Sequence, residues 1–143
     1  MIGIEWVDGL SDRFKDASIQ LGLWLVNACE LINNGSYDTV IETLALYMRS
    51  KDIASGRSVK EGCSNNFFYL RIGYEFDSAL NGYDPVQYKA AFTRIVKAFK
   101  RLNVTNCAFV WHSSGEEPRD AIVRSMQVVS HSSTYLSIYN LHI

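Results

Sequence analysis

Short apolar runs alternate with amphipathic segments along the chain. Four of these runs are short and rich in β-branched and aromatic residues, which is typical of buried strands. They are "IGIEWV" (residues 2–7), "LGLWLVNA" (21–28), "FFYLRIGYEF" (67–76) and "NCAFVWHSS" (106–114). We therefore predict four strands separated by helices.

The first helical segment lies between the second and third runs, in "SYDTVIETLALYMRSK". Ser36 is the candidate N-cap, and Asp38 falls in the first turn, where the helix dipole favours an anion. The apolar positions recur at helical spacing and predict one buried face. They are Ile41, Leu44, Ala45 and Met48.

The second helical segment, "DPVQYKAAFTRIVKAFKRL", carries stronger boundary signals. Asp84 can cap the helix, Pro85 occupies its first position, and Gln87 can close a capping box. Basic residues crowd its C-terminal end, as the helix dipole prefers. One apolar stripe is predicted to face the core: Tyr88, Ala91, Phe92, Ile95, Phe99 and Leu102.

Strands that alternate with helices pair in parallel through right-handed crossovers, so the predicted class is α/β. No glycine-rich dinucleotide or phosphate motif follows the first strand, whereas polar residues follow the later apolar runs. That second pattern favours a (β/α)₈ barrel, whose chemistry lies at the C-terminal ends of its strands. A small open α/β protein with an unrelated ligand is the alternative. The polar residues are Asn27, Glu30, Glu75, Asp77, His112, Ser113 and Ser114.

Composition and charge narrow the function classes. The chain has 143 residues, of which 48% are hydrophobic and 20% charged, and its formal net charge is −1. This balance gives no electrostatic footprint for nucleic acid or an anionic membrane. The sequence contains no apolar run of about 20 residues and no recognisable export signal at "MIGIEWVDGL". Three widely spaced cysteines, Cys29, Cys63 and Cys107, predict buried free thiols rather than disulfides or a zinc site.

Residues 67–115, "FFYLRIGYEFDSALNGYDPVQYKAAFTRIVKAFKRLNVTNCAFVWHSSG", resemble the middle of glycoside hydrolase family 26, the β-mannanase and lichenase-like (β/α)₈ group. Residues 21–48 resemble the preceding strand and helix. The resemblance implies a partial catalytic domain over residues 1–115 and a divergent tail over 116–143. It further implies that "RIGYEF" is the fourth barrel strand and "AFVWHSS" the fifth, and that family members are commonly secreted.

The resemblance also assigns residues to a site. Glu75 becomes the general acid/base of a retaining glycosidase, and a carboxylic acid near apolar walls suits protonation of a departing glycosidic oxygen. The candidate sugar-binding residues are Arg71, Tyr74, Asn81, Tyr83, Trp111 and His112. Each has a structural alternative: packing for the aromatic residues, a turn for Asn81, backbone contacts for His112, and a buried ion pair with Asp77 or another acid for Arg71. No metal or cofactor is expected.

The sequence departs from the family pattern in three ways that bear on the expected site and on the completeness of the barrel. Leu80 stands where relatives often carry tryptophan, and Tyr74 stands where the mannanases carry histidine. The family's nucleophile ends the seventh strand, which would lie beyond residue 143, and neither Glu116 nor Glu117 fits that role. Because a (β/α)₈ barrel takes about 200 residues or more, we expect an incomplete barrel that is inactive alone.

The expected ligand is a β-linked polysaccharide, either a mannan or a related β-glucan. An unclosed sheet leaves an edge that can pair with another chain. The alternative function is a non-catalytic carbohydrate-binding or remnant module.

Overall fold

A computed structural model describes residues 4–15, 17–52, 65–114 and 135–139, with residues 4–6 and 135–139 described by their backbone alone. The fold is α/β, with parallel strands alternating with helices. The elements are α1 (Ile4–Arg13), β1 (Ser18–Leu23), α2 (Cys29–Asn33), α3 (Asp38–Ser50), β2 (Phe67–Ile72), α4 (Pro85–Arg101), β3 (Cys107–Ser113) and β4 (Tyr135–Tyr139).

The four strands form one sheet in chain order, β1-β2-β3-β4, and every described pair is parallel. Leu21 of β1 lies opposite Leu70 of β2, and Leu70 lies opposite Phe109 of β3. α2 and α3 connect β1 to β2, and α4 connects β2 to β3. Since parallel crossovers are right-handed, this order directs successive helices to the same face of the sheet.

The helix-covered face contains the hydrophobic core. α3 and α4 supply the apolar faces that their periodicity predicts, and alternate residues of the strands complete the layer. Leu70, Ile72 and Met48 are fully buried, as are Tyr88 and Phe92 of α4. The predicted buried positions of both helices are therefore confirmed, apart from Leu102, which is the C-cap of α4 and only half-buried.

The opposite face of the sheet is more open. Gln20 and Phe67 point to this side and are exposed, and Tyr69 and Arg71 are half-buried. Val110 lies opposite Arg71 and is buried. An α/β sheet thus presents a partly apolar second face in addition to its core.

The start of α4 follows the prediction, whereas the start of α3 does not. Asp84 caps α4 by accepting a hydrogen bond from the Gln87 amide at 2.8 Å. The Gln87 side chain accepts instead from Asn33 Nδ2 at 2.7 Å, which ties α4 to α2. The prediction of Ser36 as a cap was wrong, because Tyr37 is the N-cap of α3 and makes no side-chain cap.

The first predicted strand was also wrong, because residues 4–13 form α1. Val7 and Ser11 are both buried and lie four residues apart, which is the spacing of one helix face. Asp8 lies on another side of this helix and accepts from Lys51 Nζ at 2.6 Å. The short apolar run was mistaken for a strand because its helical period appears only when residues 8–14 are included.

The remaining strand boundaries are shorter than predicted. β1 starts at Ser18 and ends at Leu23, before the apolar run ends, and the chain then turns at Asn27, whose φ is 60°. β2 ends at Ile72, where Gly73 takes a φ of 75°. Within the predicted tail, the backbone of Tyr135–Tyr139 extends the sheet as β4, while Glu116 and Glu117 lie outside the described residues.

Candidate active site at the carboxyl ends of the strands

A tight turn after β2 brings the ends of three strands together. Gly73 donates its backbone N–H to Leu23 O at 2.9 Å, which joins the turn to the end of β1. A Cβ on this glycine would lie 2.7 Å from Tyr88 Cε2, and its φ of 75° is in the left-handed region. Tyr88 also donates its hydroxyl hydrogen to Ile72 O at 2.6 Å. Glycine at position 73 therefore allows the chain to turn away from the sheet directly above α4.

Glu75 is held in this turn by its backbone. Its φ is 44°, a left-handed conformation that is uncommon for residues other than glycine. Its N–H donates to His112 Nδ1 at 3.1 Å, and its carbonyl accepts from Ser78 N at 3.0 Å and Asn81 Nδ2 at 3.1 Å. Backbone strain of this kind persists only where the surrounding contacts fix it. The Glu75 carboxylate is half-buried and accepts no hydrogen bond from the described residues.

His112 thus acts on Glu75 through the backbone. The ring is buried at the end of β3, and its carbonyl oxygen also accepts from Phe76 N at 3.1 Å. An Nδ1 that accepts a hydrogen bond belongs to the neutral imidazole with its hydrogen on Nε2. These contacts match the structural alternative predicted for His112, in which the histidine bonds to backbone groups.

Asp77 locks the same turn to the end of β3. Its carboxylate accepts from Ser113 Oγ and, at 2.7 Å, from the backbone N–H of Ser114. Burial raises the pKa of Asp77, but the hydrogen bonds from Ser113 and Ser114 outweigh this effect and lower the pKa below its usual value. The Asp77 carboxylate holds the turn through these hydrogen bonds. The structural alternative for Arg71, an ion pair with Asp77, is therefore wrong.

Arg71 and Tyr74 form a stacked pair on the open face of the sheet. The guanidinium carbon lies 3.9 Å from the centre of the Tyr74 ring, a short cation–π contact. Within the described part of the chain, Arg71 donates no hydrogen bond, and its buried Nε has no partner. Tyr74 therefore orients a guanidinium whose donors are available for a ligand.

The Tyr74 ring reaches back across β1. A Cβ on Gly22 would lie 2.6 Å from Tyr74 Cζ, so only glycine leaves room for the ring in this position. Trp24, on the same side of β1, lies 5.6 Å from Tyr74 between ring centres. The His112 ring lies edge-on to Tyr74 at 6.4 Å. Four predicted site residues, Arg71, Tyr74, Glu75 and His112, are thus brought together, and Gly22 and Trp24 join them.

The other predicted residues lie elsewhere or act differently. Trp111 packs on the helix-covered face, 5.2 Å from Phe92, and Tyr83 packs 4.9 Å from Tyr88. Their rings fill the core beneath the turn rather than the open face. Asn81 supports the turn, because its Nδ2 donates to the carbonyls of Tyr74 and Glu75.

Gly22 and Trp24 were not predicted, because the resemblance assigned no site residue to the apolar run "LGLWLVNA". The signal for Trp24 was strand alternation: Leu21 and Leu23 point to the core, so Gly22 and Trp24 point away from it. A tryptophan that directly follows a strand and points to the open side is a candidate ligand contact. Because this alternation is the same whether the strand ends at residue 23 or 28, the sequence contained the information.

Among the described residues, no group of three or more metal-ligating side chains is assembled, and no helix is long and apolar enough to cross a membrane. Cys29 and Cys107 are free thiols, and burial raises the pKa of Cys107 to about 12. Cys63 lies outside the described residues. Nucleophilic chemistry at neutral pH does not suit a thiol of this kind.

Comparison with protein-family models, with curated proteins and with solved structures found no match.

Proposed function

We propose that this chain forms part of a (β/α)₈ barrel of the family 26 glycoside hydrolase type, which acts on β-linked polysaccharide by a retaining mechanism. The sequential parallel order β1-β2-β3-β4 supports the barrel, because a doubly wound sheet reverses its order at a switch point. On this proposal the open face bearing Tyr69, Arg71 and Val110 is the barrel interior.

The observation that carries the proposal is the position of Glu75. It follows β2 at the carboxyl end of a parallel sheet, where (β/α)₈ enzymes place their catalytic groups. Its backbone is fixed by His112, Ser78 and Asn81, while its carboxylate is left without a described partner. A rigid backbone with an uncommitted carboxyl group suits a general acid that must reach a glycosidic oxygen.

The proposed chemistry has two steps. Glu75 protonates the departing glycosidic oxygen while a second carboxylate, about 5 to 5.5 Å away, attacks the anomeric carbon. Glu75 then accepts a proton from the water that releases the glycosyl group. The resemblance assigns the nucleophile to the end of a seventh strand, which is not among the described strands.

Replacement of Glu75 tests the proposal in the longest protein encoded by the full transcript. We expect Glu75→Gln to lower kcat on β-1,4-mannan or β-glucan by about 10²- to 10⁴-fold, the range of a lost general acid/base. On a dinitrophenyl glycoside the first step should lose far less, because this leaving group needs no proton. Steady-state and burst kinetics on both substrates measure the difference.

Glu30→Gln is the matched control, since Glu30 is an exposed glutamate of α2. It should leave both rates unchanged. Equal activities of the two variants would refute the role of Glu75.

A second candidate function is non-catalytic carbohydrate binding. The exposed Trp24 beside Tyr74 favours it, because such a surface can hold a sugar whether or not cleavage follows. The two functions differ in one result: a binding module keeps its sugar affinity and shows no hydrolysis that depends on Glu75.

A further inference from the structure

Trp24 is a large exposed side chain beside the site. It is 63% exposed, although tryptophan is highly buried on average. It directly follows β1, so it stands at the carboxyl edge of the sheet, outside which α/β proteins bind their ligands. The indole therefore presents an aromatic face to solvent at the same edge as Glu75.

The surroundings of Trp24 keep its neighbour in place. Tyr74 lies 5.6 Å away at an angle of 49°, and its ring is confined between the Arg71 guanidinium and the bare backbone of Gly22. Glu75 directly follows Tyr74 in the chain, and its backbone N–H donates to His112 Nδ1. The aromatic pair therefore adjoins the residue that carries the candidate catalytic carboxylate. A ligand resting on Trp24 and Tyr74 would lie beside the turn that carries Glu75.

The chemistry of this surface favours one class of ligand. An aromatic face is electron-rich, and the C–H face of a β-linked pyranose is apolar with weakly positive hydrogens, so the two attract each other. Arg71 adds hydrogen-bond donors that suit sugar hydroxyls and, in the described residues, have no other acceptor. A flat β-1,4-linked chain matches both features.

We infer that Trp24 is a sugar-binding platform that stacks on a pyranose unit of a β-1,4-linked chain and, with Tyr74, positions the next glycosidic bond at Glu75. This inference rests on the proposed function for its position in the reaction, but the stacking itself requires no hydrolysis. Trp24 is a specificity residue that contacts the polysaccharide away from the bond that breaks.

The test compares replacements that differ in their aromatic face. Trp24→Phe keeps a ring, and Trp24→Leu keeps an apolar side chain without one. Calorimetric titration with β-1,4-mannohexaose and cellohexaose should show binding of at least one by the wild type, a loss of at least about tenfold for Trp24→Leu, and less than about threefold for Trp24→Phe. α-1,4-Linked maltohexaose, whose chain is curved, should bind at least tenfold more weakly than the preferred β-linked sugar.

Phe14→Ala is the matched control, since Phe14 is a 50% exposed aromatic residue at the other end of the sheet, before β1. It should leave affinity unchanged. NMR spectra of the two remaining indole N–H groups verify that each Trp24 variant stays folded, and in the wild type the Trp24 indole signal should shift when sugar is added. Unchanged affinity of folded Trp24→Leu, equal losses for the leucine and phenylalanine variants, or no binding of either β-linked sugar would overturn the inference.

The outcome separates this inference from the proposed function. Sugar binding that depends on Trp24, without cleavage that depends on Glu75, supports the platform and rejects the enzyme. Cleavage that depends on Glu75, with full affinity in Trp24→Leu, supports the enzyme and rejects the platform.

Discussion

At the scale of single residues, the turn after β2 concentrates unusual backbone geometry in a small space. Gly73 and Glu75 both have positive φ, at 75° and 44°. A non-glycine residue in such a conformation costs about 1 to 3 kcal/mol and needs compensating contacts. Asp77 supplies two of them through Ser113 and Ser114. The orientation of Glu75 therefore depends on a neighbour that touches no substrate in the proposed mechanism.

Asp77→Asn tests this anchoring. The pKa of Asp77 is lower in the folded chain than the usual unfolded value of about 3.9. Its carboxylate therefore adds stability that is fully present above pH 4 and is lost as the pH falls through the lower folded pKa. We expect the variant to be about 2 kcal/mol less stable at pH 7, the contribution of hydrogen bonds to a charged group.

Urea unfolding followed by circular dichroism between pH 7 and pH 3 measures this difference. The gap between wild type and Asp77→Asn should narrow below pH 4. A gap that stays constant over this range would contradict an ionic contribution, and Glu30→Gln serves as the exposed carboxylate control.

Several site residues could be predicted from the sequence because a simple rule placed them. Glu75 follows a recognisable apolar run, and Arg71 and His112 lie within or at the end of such runs. Tyr83 and Trp111 were predicted as sugar contacts with core packing as the alternative, and the sequence could not decide between the two, because an aromatic residue near a strand end can face either the core or the open side and only the register decides. Trp111 lies opposite Ile72 across the extended β2–β3 register, on the helix-covered face.

At the scale of elements, two buried asparagines organise the amino ends of the strands. Asn106 Nδ2 donates to Met48 O at 2.7 Å and to Asn66 O at 3.1 Å. Asn66 Nδ2 donates to the carbonyls of Phe14 and Ala17, each at 2.9 Å. These bonds join the ends of α3 and α1 to the entrance to β1, and they supply a second donor to Met48 O and Phe14 O, which also accept from the backbone N–H groups of Lys51 and Ala17. The edge of the sheet opposite Glu75 is thus held together by the hydrogen bonds of Asn66 and Asn106, which we call the asparagine belt.

Asn106→Asp is the test of this belt. The replacement keeps the shape of the side chain but removes both amide hydrogens and brings a carboxylate near two carbonyl oxygens. We expect a loss of about 3 kcal/mol in the free energy of unfolding, because buried carbonyls lose their donors and a charge is buried without a partner. Chemical denaturation at pH 7 measures it.

The adjacent Asn65→Asp is a close control, since Asn65 is exposed. It should change stability by less than about 0.5 kcal/mol, as surface substitutions usually do. Similar losses in both variants would show that the asparagine belt is not what stabilises this edge.

The elements themselves were partly predictable. α4 was clear from Asp84, Pro85 and a long apolar stripe, since cap and period agree. α1 was not, because a six-residue apolar run cannot distinguish a strand from the start of a helix. The α3 cap failed because Ser36 uses its hydroxyl to donate to Asn34 Oδ1 at 2.7 Å instead.

At the scale of the whole molecule, the strands of the sheet follow chain order, and they differ in how many strand partners they have. β2 and β3 each have two described partners, whereas β1 pairs with β2 alone among the described residues. A row of backbone groups along Ser18–Leu23 therefore has no strand partner in that part of the chain. Such an edge is a template for pairing with another chain.

Gln20→Lys tests pairing at this edge. Gln20 is exposed on β1, and a lysine on an edge strand disfavours addition of a further strand. We expect the wild-type chain to show an average mass that rises with concentration in sedimentation velocity, and Gln20→Lys to reduce that rise. Thr43→Lys adds the same charge on the exposed side of α3 and should not reduce it. A wild-type mass that is independent of concentration would argue against pairing at this edge.

The class α/β could be predicted because alternation of strand and helix signals permits few topologies. Closure into a barrel could not, since it depends on strand tilt and register around a full circle rather than on the pattern within one repeat.

The order β1-β2-β3-β4 also has a consequence for how the protein is made. Each described strand lies beside the one that leaves the ribosome just before it, so no segment must wait for a distant partner. β1, α3 and β2 can pack together before β3 is synthesised, and β3 then pairs with the edge of β2 that is already formed. At synthesis rates of about 5 to 20 residues per second, the strands can add to the sheet in the order in which they are translated. The turn carrying Glu75 can become fixed only after His112 has been synthesised, because His112 accepts the hydrogen bond from the Glu75 N–H.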